Sequence, residues 1–316
     1  MDPVLLRGSS CWTTAAAIGA AALVACTSKP YREVDLDAEV ARSAPLVATE
    51  ARIPAKDLRF SVAAMLSPRD TYTSYSRLFE RMGQRLGIGV AFVQRRTYAE
   101  VNELLLSGGL DAALVCTGGY LELRARAPQQ IEVLAVPVRD GKSTYQSLIL
   151  VPASSGARSL GDLAGRRFAF TDELSFSGYA YAARLLRDMG EQPSHFFASA
   201  VFTHSHDRSI NAVAQQLVDG AAVDSLVYED LVRRDPALSA TTRVIHRSPP
   251  FGTTPVVASV HLPSEERARI REVLLSLHHD PEAAAALKVL HIDRFEVPPS
   301  GHYDTAAAVV VVEARR

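Results

Sequence analysis

Cysteine is nearly absent from this chain, with three in 316 residues, so a disulfide framework is not its scaffold. There is one tryptophan, and the 18 glycines and 17 prolines are scattered instead of gathered into a low-complexity tract. No internal repeat shows, which excludes a solenoid or a propeller. Charge of either sign is not in excess. The 34 basic and 35 acidic residues leave a formal net charge of −1, so neither a nucleic-acid surface nor an acidic disordered tail is indicated. What remains is 47% hydrophobic and 22% charged, enough for one or two globular domains with real cores.

The first thirty residues are different. Arg7 precedes an apolar run over residues 15–24, too short to cross a bilayer as a mature helix and the right length for a signal-peptide core. It ends in Leu23-Val24-Ala25-Cys26, which resembles the lipobox of bacterial lipoproteins. That resemblance implies cleavage before Cys26 and lipidation of Cys26, so residues 1–26 are expected to be a signal peptide. The protein is then exported and lipid-anchored on the periplasmic side of the cell envelope; a signal peptide without lipid is the alternative. Residues 27–56 are polar, contain Pro30, Pro45 and Pro54, and read as a tether. With Cys11 removed and Cys26 carrying lipid, Cys116 stands alone as a thiol in an oxidising compartment.

From residue 58 the pattern alternates between short apolar runs and helix-compatible stretches. Strands are expected at 58–64, 90–93, 111–115 and 131–138, with a loop at 66–72 and helices from 74 to 86 and 98 to 106. A second such unit begins near Gln146, with strands at 148–151, 167–170, 200–202, 220–223 and 242–245. After Pro249-Pro250 a further apolar strand and two helices return to the first unit. The reading is an α/β protein of two lobes with mostly parallel sheets: residues 57–146 plus 251–316 form lobe 1, and 147–250 form lobe 2. Two crossings, near Tyr145 and Pro250, leave a cleft between the lobes, where α/β sheets hold their ligands.

The stretch that organises the chain is residues 168–179, an apolar run, a polar turn and then a helix start at Ser175-Phe176-Ser177-Gly178. Serines cap helices, glycine permits close approach, and the free N–H groups of a helix start suit a small anion. An ordinary capped helix is the plainer reading of the same residues.

These pieces together resemble the phosphonate-binding, PhnD-like family of type II periplasmic solute-binding proteins. The resemblance rests on Asp140-Gly141-Lys142 with Tyr145-Gln146-Ser147, on residues 160–165, on Ser175-Phe176-Ser177-Gly178, on His204-Ser205-His206-Asp207, on residues 218–225 and on Ser248-Pro249-Pro250. It implies a type II periplasmic-binding-protein fold, two Rossmann-like lobes joined by two hinge crossings. It also implies an extracytoplasmic receptor, a monomer feeding an ABC importer, that closes on a small oxyanion such as phosphate, phosphite or a simple phosphonate. The implied site residues are Ser175, Phe176, Ser177 and Gly178 at the helix start, His206 from the second lobe and Tyr98 from the first. Protonation of His206 would strengthen its bond to an oxyanion. Cys116 and Thr117 lie at a strand-to-helix turn that should face the ligand, and Asp224 and Ser225 border the cleft. The acidic positions that hold an ammonium in aminoalkylphosphonate receptors align to Leu226 and Thr254, which favours a ligand without an amine. No cofactor, metal or nucleic-acid partner is expected; the partners are an ABC permease or a sensor kinase, and the membrane through the lipid.

Two other readings stay in play. Some relatives bind arsenite through one cysteine and signal to a histidine kinase, and thiolate suits As(III), so Cys116 is either such a ligand or a small buried hydrophobe. Ser177, His206 and Asp224 also invite a serine-type hydrolase, although no Gly-x-Ser-x-Gly elbow is present.

Overall fold

The computed structural model describes residues 57–310. The expected signal peptide and tether, with Cys26, lie outside the described residues.

Along the chain, β1 (Leu58–Val62), β2 (Val90–Phe92), β3 (Ala112–Leu114) and β4 (Ile131–Val138) alternate with α1 (Pro68–Leu86), α2 (Tyr98–Leu106) and α3 (Thr117–Arg126). The chain then crosses through β5 (Thr144–Tyr145) into β6 (Ser147–Pro152), β7 (Arg167–Phe170), α4 (Tyr181–Asp188), α5 (Pro193–Phe196) and β8 (Ser199–Phe202). It continues with α6 (His206–Ala214), β9 (Gly220–Asp224), α7 (Ser225–Arg234), α8 (Ala237–Thr241) and β10 (Thr242–Arg247). Finally it returns through β11 (Phe251–Gly252) into β12 (Val256–Ser259), α9 (Ser264–Ser276), α10 (Pro281–Val289), β13 (Arg294–Glu296) and α11 (Asp304–Val310).

Two main sheets result. One has six strands in the order β13-β4-β12-β3-β1-β2, the other five in the order β10-β6-β9-β7-β8. Every residue of β3, β6 and β9 is buried, the pattern of strands covered on both faces by helices. The crossings pair with each other: β5 and β11 form an antiparallel ribbon with Tyr145 opposite Phe251. The polypeptide thus passes between lobes as two hydrogen-bonded strands, a compact hinge.

The sheets are mixed, not mostly parallel as expected. β12 and β13 run antiparallel to their neighbours in the first sheet, as β6 does in the second. The reason lies in the crossings: β6 and β12 each enter a sheet from the opposite lobe, so they arrive reversed. α1 also starts earlier than residue 74. Pro68 sits in its first turn, where a missing N–H costs nothing, and residues 66–72 therefore do not form a loop throughout. α11 packs over the hinge: Tyr303 just before it donates to the Thr253 carbonyl at 2.9 Å, and its ring lies tilted against Tyr120, with centroids 4.6 Å apart.

Candidate functional site

The helix expected at Ser175 opens as a single π-helical turn, Phe176–Ala180, that runs straight into α4. Ser175 caps it, its Oγ accepting from the Gly178 N–H at 3.0 Å. Gly178 is required here, because a Cβ would run into Thr171 and Ser175 Oγ. That cap uses the Gly178 N–H, so it is not free for a ligand, contrary to the sequence expectation. Ser177 differs: its carbonyl accepts from Ser147 Oγ at 2.6 Å, while its own Oγ is buried without a partner.

Across the cleft stands a second helix start. Cys116 precedes α3, and the N–H groups of Gly118, Gly119 and, from the other lobe, Phe176 lie against its sulfur. Gly118 makes this approach possible, since a Cβ there would strike the Leu174 carbonyl oxygen. The thiol lies 3.8 Å from that oxygen. Burial pushes the thiol up to about 11, so Cys116 is neutral over the physiological range.

Three hydroxyls in this region are buried and lack hydrogen-bond partners: Tyr98 OH, Tyr145 OH and Ser177 Oγ. The Tyr145 hydroxyl lies beside the hydroxyls of Thr117 and Ser177, and both phenols are within electrostatic reach of Cys116 and Asp224. Burial raises both phenols well above their usual range, so each is a neutral donor. A buried hydroxyl left unpaired costs roughly 1–3 kcal/mol, and three together mark a place built to receive acceptor atoms.

His206 is 1% exposed, and burial lowers its ring to about 3. Its Nδ1 accepts from the Asp224 N–H at 3.1 Å, with Thr171 Oγ1 at 3.0 Å, so the proton resides on Nε2. The expectation that protonation strengthens its grip is therefore corrected: His206 is a neutral donor. The hydrolase relay is not assembled either. A triad carboxylate must accept from the imidazole N–H, yet Asp224 meets Nδ1 with its backbone and spends Oδ1 capping α7 through Leu226 and Val227 N–H at 2.7 and 3.3 Å.

Two expected site residues have structural partners instead. Thr117 Oγ1 donates to the Gly252 carbonyl at 3.0 Å, and Ser225 Oγ accepts from Gln146 N–H at 3.0 Å, so both tie the hinge to the lobes. Phe176 sends its ring into apolar packing, 4.7 Å from Phe251 across the crossing. Tyr145, which the sequence placed at a crossing and in a family motif but not among the site residues, belongs among the orphaned hydroxyls. Its signal was its position in the hinge, where any side chain borders both lobes.

The lobes are closed on one another. His206 N–H donates to the Met65 carbonyl at 3.0 Å, Ser67 N–H to Asp207 Oδ2 at 3.1 Å, and Tyr98 N–H to Asp172 Oδ2 at 3.2 Å. His291 and Asp230 form a further contact at 3.0 Å. Between the lobes a cavity of about 50 Å³ is bordered by Val62, Tyr75, Arg139, Asp224, Leu226 and Thr254 among others; the three orphaned hydroxyls do not line it, and Asp224 connects it to Tyr98 and Tyr145. Leu226 and Thr254 thus do face the cleft, and Asp224 and Asp230 bring carboxylates to it that the alignment of those two positions did not reveal. A larger surface groove along α1 and β2 has none of the buried orphaned polar atoms found among the described residues.

A family model described as the periplasmic substrate-binding protein of a phosphonate ABC transporter matches residues 60–303. The phosphate-import protein PhnD of Mycolicibacterium smegmatis is 30% identical over 173 residues, 52% of this chain and 54% of that protein. A probable ABC transporter phosphite-binding protein, PhnD1 of Prochlorococcus marinus, is 26% identical over 148 residues, 45% and 50% of the two chains. The chain therefore spans about half the length of the curated relatives it matches. Among solved structures, a binding-protein component of an ABC phosphonate transporter from Pseudomonas aeruginosa superposes with a TM-score of 0.75 at 21% identity, over 82% of this chain and 87% of that one. The Prochlorococcus marinus PhnD1 complex with methylphosphonate gives 0.72 at 20%, over 83% and 99%. At these identities the structural likeness establishes the type II periplasmic-binding-protein fold.

Proposed function

This chain belongs to the family of phosphonate periplasmic substrate-binding proteins of ABC transporters, and from that premise we propose that its closed cleft captures a small oxyanion for an importer. Phosphate, phosphite and simple phosphonates are the ligands proposed. The observation that carries the reading is the set of three buried, unpartnered hydroxyls, Tyr98, Tyr145 and Ser177, between two facing helix starts. Each hydroxyl gains an acceptor when an oxyanion enters, and the N–H groups near Cys116 add a favourable field. His206 Nε2–H supplies a further neutral donor. The neutral thiol of Cys116 supports this reading, because a thiolate in the same place would repel the anion. The cavity of about 50 Å³ leaves room for a small substituent. Export and attachment through lipid at Cys26 belong to the same proposal, as does the division into lobes at residues 146–147 and 250–251.

Isothermal calorimetry on the purified protein with phosphate, phosphite and methylphosphonate tests it. One-to-one binding of any of them, with a raised melting midpoint, is the expected outcome. Absence of binding by all of them, or turnover of an ester, contradicts it.

A further inference from the structure

Two carboxylates stand close to the orphaned hydroxyls, and they are differently occupied. Asp172 uses both oxygens, accepting from Leu174 N–H at 2.9 Å and Tyr98 N–H at 3.2 Å. Asp224 uses only Oδ1, and its Oδ2 takes no hydrogen bond among the described residues. Asp224 is 4% exposed, and it borders the cavity together with Arg139, whose Nε is buried and unpartnered. A site made of donors has no need of an acceptor unless its guest brings a hydrogen to share.

Resting on the oxyanion reading, we propose that Asp224 is the specificity-determining residue that selects an oxyanion carrying a proton. Its Oδ2 accepts the O–H of hydrogen phosphate or of a hydrogen phosphonate, and it turns away fully ionised tetrahedral anions such as sulfate. In a water-excluded cavity two facing anions repel strongly, whereas a proton between them makes a charge-assisted O–H···O⁻ bond. Phosphate and phosphonates keep such a proton near neutral pH; sulfate does not. The groups acting on Asp224 are Arg139, which favours its charge, and Glu229, which opposes it. Tyr75, Tyr98 and Tyr145 lie in its field, Asp230 shares the cavity, and His206 meets only its backbone N–H. Burial raises the Asp224 carboxyl to about 6, so acidification lets it take up the missing proton itself.

Asp224→Asn keeps a capping oxygen for α7 and removes the charge. Calorimetry with inorganic phosphate, sulfate and 2-aminoethylphosphonate, on both proteins at about pH 7.5 and about pH 5.5, provides the test. Wild-type protein should prefer phosphate by roughly 100-fold at the higher pH and gain sulfate affinity by about tenfold at the lower. The Asn variant should bind sulfate at least about tenfold tighter than wild type, with no pH dependence. The wild-type pH series stands even if the variant melts early. An unchanged phosphate preference in the variant overturns the proposal. So does a variant that loses affinity only for 2-aminoethylphosphonate, which would make Asp224 an ammonium partner. Wild-type protein that binds neither anion contradicts the oxyanion reading itself.

Discussion

The two helix starts that meet across the cleft solve the same capping problem with different chemistry. In lobe 2, Ser175 Oγ accepts from Gly178 N–H, and Ser177 Oγ is left free. In lobe 1, the side chain before α3 is the Cys116 thiol, a weak acceptor that neighbouring N–H groups crowd without a good cap bond. One start satisfies its backbone and saves a hydroxyl; the other leaves its backbone field directed at the cleft. On the proposed reading the grip is shared: Ser177 from lobe 2, Tyr145 from the hinge and Tyr98 from lobe 1 offer hydroxyls, and the lobe 1 helix start adds its field.

Gly118→Ala breaks the comparison most severely. A methyl group at the lobe 1 helix start would hit the Leu174 carbonyl and hold the lobes apart. A loss of about 3 kcal/mol in ligand binding, roughly 150-fold, is expected by calorimetry, with the melting temperature of the ligand-free protein little altered. Next comes the pair of serines. Ser177→Ala should cost about 1–3 kcal/mol of binding, the loss of one bond to a charged group. Ser175→Ala should instead lower thermal stability by about 1 kcal/mol as a cap deletion, with a smaller effect on affinity. If the two variants exchange these phenotypes, the division between capping and gripping serines is wrong.

Cys116→Ser sharpens the other face. A neutral thiol that only packs beside the anion can be exchanged for a hydroxyl, so phosphate affinity should change by less than about 1 kcal/mol. Arsenite binding that depends on Cys116 would reverse this. A test of a different kind, on pH, concerns His206. Its ring takes a proton at 6.5 in the unfolded chain and only near 3 when buried, so its stabilising contribution is present above 6.5 and lost as pH falls toward 3. Asp224, raised from 3.8 to about 6, works in the opposite direction, relieving the folded state on acidification. Melting curves of His206→Gln should accordingly fall less steeply with acid than those of the wild type.

Much of the fold was legible because it is written in local patterns: apolar runs of strand length, helical spacing in α1, and turn residues between them. The helix start at Ser175 in lobe 2 was legible for the same reason, since serines before a helix have one common structural meaning. The sheet directions were not, because reversal of β6 and β12 depends on how the hinge crosses. Tyr145 was missed as a site residue since nothing adjacent in sequence says that its hydroxyl ends up unpartnered. The neutrality of His206 also escaped notice, because it follows from Asp224 N–H, 18 positions away, donating to Nδ1. Phe176 was read as a site residue from its place in the helix start; its ring is apolar packing against Phe251 that carries the core across the cleft.

The decisive measurement is a crystal structure with phosphate bound. Phosphate oxygens are expected at about 2.7 Å from the hydroxyls of Tyr98, Tyr145 and Ser177, within the closed cleft. Phosphate bound elsewhere, or a filled cleft in which those three hydroxyls remain unpaired, would contradict it.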